Sequence, residues 1–268
     1  MKVFVGVFAA VILFSACSPN NVNVDNSLKK HFDEAGVHGT FAILDNGTNQ
    51  FTIYNLARYR DSSFLPASTF KIINSLIGLQ TGRIVNDSML INWDGIDRGR
   101  SECNGNLTMY EAFRFSCPPW YQELARRIGK DTMQTWIDSL EYGNKTISTI
   151  DTFWLDNSLK ISPDEQLGLM KRLYFDQLPF HKINQDIVKR AMLFEDNTNY
   201  RLSYKTGWGH DEEGKNIAWI VGWLEENRHP YFFVLNIESA EKNVNIPDIR
   251  MKLLKNILTQ LDFLHGKR

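Results

Sequence analysis

Strand patterns stand at both ends of this chain and helical patterns fill its middle, and that order restricts the fold more than any other feature. Residues 41–45 (Phe-Ala-Ile-Leu-Asp) and 51–55 (Phe-Thr-Ile-Tyr-Asn) flank Asn46-Gly47, a hairpin signal. Apolar runs rich in β-branched and aromatic residues return at 202–206, 217–224 and 231–237. Between 108 and 193 the apolar residues recur mostly at helical spacing. Early and late strands therefore belong in one sheet rather than in two consecutive domains, with a short helix at 28–35 and an amphipathic one at 249–264. The expected class is α/β, an α+β sandwich: an antiparallel sheet flanked by terminal helices, with a large all-helical insertion. The sheet part covers about 27–65 and 197–268, the helical part about 66–196.

Helix starts are marked by capping chemistry. Thr108-Met109-Tyr110-Glu111 has the form of a capping box, ahead of amphipathic stretches at 121–128 and 133–140. Ser162-Pro163-Asp164-Glu165 precedes Leu167, Leu169, Met170 and Leu173, and capping with the helix dipole explains both carboxylates. Pro66-Ala67-Ser68-Thr69-Phe70-Lys71 leads into Ile72, Ile73, Leu76, Ile77 and Leu79, with Gly82 as a stop. Ser68 then lies in a first helical turn, with Lys71 one turn above it on the same face. A hydroxyl beside an amine is a nucleophile beside a base, once apolar neighbours such as Phe70, Ile72 and Ile73 lower the lysine pKa. Unpaired N–H groups at the helix start suit a developing oxyanion. Ser-x-x-Lys also occurs at Ser27–Lys30 and Ser239–Lys242, so the pattern by itself identifies nothing.

Lys2 and the apolar run 3–14, closed by Ser15-Ala16-Cys17, have the shape of an export signal over 1–17 and are short for a membrane span. Small residues before a cysteine resemble a bacterial lipoprotein cleavage box, which makes Cys17 the lipidated first mature residue, although Phe14 replaces the usual leucine. Residues 18–26 read as a polar tether and 27–268 as the functional domain. The expected location is the periplasm, with a membrane contact only through that anchor. Thirty basic residues against thirty-one acidic ones, and no basic stretch interleaved with aromatics, argue against a nucleic-acid partner. Neither a Gly-x-Ser-x-Gly elbow nor a His-Glu-x-x-His helix occurs, so no metal is expected. His210 reads as a solvated loop histidine.

Lys205-Thr206-Gly207 ends an expected strand, where a cation, a hydroxyl and a glycine permitting close approach make a carboxylate-binding edge. Taken in order with Ser68-Thr69-Phe70-Lys71, Ser116, Tyr142-Gly143-Asn144, Phe153-Trp154-Leu155 and the stretch 121–129, it resembles the penicillin-recognising serine enzymes. Within them it resembles the class D, oxacillinase-type β-lactamases, from about residue 25 to the C-terminus.

The resemblance implies a β-lactamase/transpeptidase-like fold and hydrolysis of β-lactam antibiotics, giving resistance. Ser68 would form the acyl-enzyme. Lys71, carrying carbon dioxide as a carbamate (N6-carboxylysine), would be the general base, with no other cofactor. Trp154 would hold the carbamate, with Phe70 and Cys117 lining its pocket. Ser116 would relay a proton to the leaving nitrogen. Lys205, Thr206, Gly207, Trp208 and Arg250 would bind substrate, the N–H groups of Ser68 and Trp208 would form the oxyanion hole, and Tyr142 and Asn144 would shape the site. Cys117 replaces the branched aliphatic usual in the family, and a buried role beside the lysine favours free thiols at Cys103 and Cys117 over a disulfide. The alternatives are a β-lactam sensor or a small penicillin-binding protein that acylates and turns over slowly.

Overall fold

The computed structural model describes residues 21–241 and 244–267; the expected export signal and Cys17 lie outside them. In chain order the elements are β1 (Val22–Val24), α1 (Lys29–Glu34), β2 (His38–Asp45), β3 (Gln50–Tyr54), α2 (Leu56–Asp61), α3 (Lys71–Gln80), β4 (Leu90–Ile91), β5 (Leu107–Thr108) and α4 (Met109–Phe115). There follow α5 (Pro118–Ile128), α6 (Lys130–Leu140), α7 (Pro163–Tyr174), α8 (Lys182–Met192), β6 (Leu193–Asp196), β7 (Arg201–His210), β8 (Asn216–Glu226), β9 (His229–Ser239) and α9 (Ile246–Gln260).

Seven strands make one sheet in the order β1-β3-β2-β9-β8-β7-β6, so the early β2 pairs with the late β9. Successive residues point to opposite faces. Phe41 and Ile43 of β2 join Phe32 of α1 and Leu253, Leu254 and Ile257 of α9, whereas Ala42 and Leu44 belong to the core shared with the inserted helices. Both faces are therefore covered, which is why β8 reads as a continuous apolar run and is buried along almost its whole length. Each fully buried Leu or Ile of these two cores contributes about 1.5–3 kcal/mol relative to exposure.

The insertion is built around α3, which is buried from Lys71 to Leu79 and packs on α5 and α8. A helix buried on every side must satisfy its polar groups. Asn74 Nδ2 donates to Tyr121 O at 3.2 Å, and the Ser75 and Tyr121 hydroxyls pair at 2.8 Å. Both capping boxes form, Thr108 with Glu111 and Ser162 with Glu165. Asp164 also accepts the Tyr59 hydroxyl at 2.6 Å.

Some expectations change. The first hairpin has a four-residue loop closed by the Asp45–Gln50 pair, and its left-handed residue is Asn49 (φ 56°). A Cβ on Gly47 would meet the His229 ring, so a larger residue there would push that ring aside. The expected tether is strand in part, because Val22–Val24 pairs in parallel with β3. A three-residue edge strand carries almost no pattern of its own. The short α2 and β6 also lack periodicity enough to be foreseen.

Candidate active site

Ser68 lies in a 3-10 turn, Ala67–Phe70, that feeds directly into α3. The turn is fastened on several sides. Ala67, left-handed at φ 48°, donates its N–H to Trp154 O at 3.0 Å, and Thr69 donates its N–H and hydroxyl to Pro66 O at 3.1 and 2.7 Å. Gln166 Nε2 of α7 in turn donates to the Thr69 hydroxyl at 2.7 Å. From this fixed base Lys71 Nζ donates to Ser68 Oγ at 2.7 Å. Lys71 is 1% exposed, and burial, with the Arg100 charge as a second cause, pushes its ammonium down to about 7. The surroundings are aromatic. Phe70 stacks on Trp154 at 5.5 Å and meets Phe153 and Tyr142 edge-on, and the Tyr121 ring lies 5.4 Å from Lys71 Nζ. Trp154 Nε1 is buried without a hydrogen-bond partner. A donor left unpaired in this way costs about 1–3 kcal/mol.

The opposite wall comes from β7. Strand β6 pairs with only the first residues of β7, and the Ser68 turn packs on the edge left beyond them. A Cβ on Gly207 would lie 2.9 Å from Pro66 O and 3.2 Å from Thr69 Cγ2, so glycine is what allows that approach. Lys205 Nζ donates to Ser116 Oγ at 2.9 Å and to Thr206 O at 3.2 Å. Ser116 itself is the left-handed C-cap of α4, at φ 59°. From α9, Arg250 Nη1 donates to Gly207 O at 2.7 Å, and its Nε is buried without a partner. Burial, with the charges of Lys71, Arg250 and Arg100, holds the Lys205 ammonium well below its usual range, and burial takes Arg250 down to about 10. Four basic side chains thus converge, and among the described residues only Arg100 has a carboxylate, Glu102, as partner. The positive potential that this leaves favours an anionic group at the site.

Ser68, Lys71, Ser116, Lys205 and Gly207 are therefore brought together as expected, and Arg250 reaches the same strand edge. Trp208 is 43% exposed, with its indole N–H on Asn216 Oδ1 at 2.9 Å. Tyr142 is buried against Phe70. Asn144 serves the scaffold. It is exposed, donates to Ser158 O at 2.7 Å, accepts from Lys160 N–H at 3.0 Å, and so fastens the segment after Trp154. Cys117 is buried, as expected, yet free thiols are the wrong expectation. It is bonded to Cys103, with the two Cα atoms 5.6 Å apart, because the turn Ser101–Cys103 folds back over the end of α4. Fourteen residues of separation say nothing about such a fold-back. Arg100 and Gln166 carry no sequence signal of a site role, one inside an ordinary charged loop and the other within an amphipathic helix.

The family described as the penicillin binding protein transpeptidase domain matches residues 29–259. Beta-lactamase OXA-19 of Pseudomonas aeruginosa is 34% identical over 264 residues, 97% of each chain. The class D beta-lactamase structure from Sebaldella termitidis superposes with a TM-score of 0.87 at 33% identity, over 91% of this chain and 98% of that one. The C-terminal domain of the Bacillus licheniformis BlaR penicillin-receptor gives 0.84 at 28% identity, over 90% of this chain and 96% of that one. The chain belongs to the class D β-lactamases, within the penicillin-binding transpeptidase family.

Proposed function

We propose that the protein hydrolyses β-lactams through an acyl-enzyme on Ser68, with Lys71 as the general base. One observation carries this reading: a buried lysine near neutrality whose amine donates to the Ser68 hydroxyl. In its neutral form Lys71 accepts the Ser68 proton as Oγ attacks the lactam carbonyl. The backbone N–H groups of Ser68 and Trp208 receive the oxyanion. The Ser116 hydroxyl, bonded to Lys205, passes a proton to the departing nitrogen, and Lys205, Thr206 and Arg250 hold the substrate carboxylate. Carbon dioxide on Lys71 fits these residues, because addition needs a neutral amine and Trp154 Nε1 is a buried donor with nothing to bond. When bound it supplies a carboxylate-like base for deprotonating serine and then water. Export, a lipid anchor at Cys17 and a role in resistance belong to the same proposal, motivated by residues 1–17.

A second reading, a receptor that acylates and hardly turns over, is favoured by the likeness to the BlaR domain. Intact-protein mass with a penicillin, followed over time with and without bicarbonate, separates the two. Steady loss of drug with a transient adduct, faster with bicarbonate, supports hydrolysis. A persistent adduct on Ser68, indifferent to bicarbonate, overturns it in favour of the receptor.

A further inference from the structure

Arg100 precedes the turn Ser101–Cys103 and reaches across to the end of α4. Its Nη2 donates to Phe115 O at 2.7 Å and its Nη1 to Ser116 O at 3.4 Å. Nε and Nη2 also grip Glu102 Oε1, at 3.0 and 2.8 Å. Three residues on, Cys103 is bonded to Cys117. One short segment thus holds Ser116 from both sides: Arg100 takes its carbonyl and the preceding one, and Cys103 takes the side chain of the next residue. Ser116 requires such support. A non-glycine residue in the left-handed region costs on the order of 1 kcal/mol. The last carbonyls of a helix lack intrahelical donors, and a cation there also opposes the dipole.

We propose that Arg100 is a positioning residue for Ser116: by binding the Phe115 and Ser116 carbonyls, with the Cys103–Cys117 bond as a second brace, it fixes the turn that presents the Ser116 hydroxyl to Lys205. The inference rests on the proton-relay role proposed for Ser116. Its charge has a further effect. The charged and titratable groups around the lysine pair are Lys71 of α3, Tyr121 of α5, Lys205 of β7, Arg250 of α9 and Arg100, with Glu102 on Arg100. Loss of a positive neighbour raises the Lys71 pKa, so a higher pH is needed for the same neutral fraction.

The test uses the full-length protein and its Arg100→Ala, Arg100→Lys and Cys103→Ala variants, with a fluorescent penicillin, across a pH series. Arg100→Ala is expected to lower the acylation rate about 10- to 100-fold, with a smaller change in KM. It also moves the acid limb to higher pH by a few tenths to about one unit. Arg100→Lys keeps the charge and returns the limb, yet not the rate, since an ammonium cannot span two carbonyls as the fork does. Cys103→Ala slows acylation with the limb unmoved, and its effect adds incompletely to that of Arg100→Ala. A wild-type rate and pH profile in Arg100→Ala, or lowered thermal stability alone, overturns the inference. A Ser116→Ala variant as fast as wild type overturns it together with the relay. Should the wild type not react with penicillin, the functional reading falls, and hydrogen exchange reads the brace instead. The Cys117 amide, bonded to Ala112 O at 2.9 Å, then exchanges faster in Arg100→Ala, and unchanged exchange overturns the inference.

Discussion

Lys71→Met should make the protein more stable while removing its chemistry. Methionine keeps an unbranched chain in a fully buried position and removes the amine. The folded pKa of Lys71 is about 7, against 10.5 for an ordinary lysine. With the folded value depressed, the unfolded chain holds more protons between those limits, so wild-type stability climbs with pH across that window. Below it the penalty is complete: a difference of 3.5 units (10.5 − 7) is about 5 kcal/mol, of which about 4 kcal/mol remains at pH 7. Losing the hydrogen bond to Ser68 returns about 1 kcal/mol. The variant should therefore be about 3 kcal/mol more stable near neutrality, with the gain fading as pH approaches the ordinary lysine value. Guanidinium titrations in buffer freed of carbon dioxide, at several pH values, measure this. A variant no more stable than wild type, or a difference independent of pH, would refute the assignment of a buried, depressed amine.

Gly207→Ala forces a methyl to within 2.9 Å of Pro66 O, so the Ser68 turn must yield by about half an ångström; kcat/KM should fall about 10- to 100-fold. Steady-state kinetics beside a thermal melt separate that shift from unfolding. Trp154→Phe deletes the partnerless indole N–H, so stability should hold or rise by about 1 kcal/mol while bicarbonate loses its effect on turnover. From pH 7 to 6 the neutral fraction of Lys71 falls about fivefold, and about tenfold per unit further down, and acylation at subsaturating penicillin should follow it. Asn144→Ala should cost about 1–2 kcal/mol in denaturant titrations and change kcat/KM less than about threefold, since its bonds go to backbone at 158–160.

Local interactions explain what could be read without coordinates. The Thr108 and Ser162 capping boxes close within four residues, and Ser68 meets Lys71 because helical geometry superposes residues three apart. The apolar run at 217–224 already read as a strand, and the order of strand and helix patterns brought early and late strands into one sheet. The resemblance to class D enzymes rests on motifs of the same short range.

What the sequence could not settle is whatever depends on segments far apart in the chain. Ser116 meets Lys205 across 89 residues, and Gln166 meets Thr69 across 97; no periodicity encodes either contact. The Cys103–Cys117 bond and the Arg100 clasp depend on a loop folding back over the end of α4. The depressed pKa of Lys71 is tertiary as well, since desolvation is set by atoms brought from α5 and from the segment around Trp154. The sequence alone determined most of the longer helices and strands and the short motifs they carry, though not the short β1, α2 and β6. Only the folded structure decided which motifs touch, because contact and burial arise from the packing of distant segments rather than from local geometry.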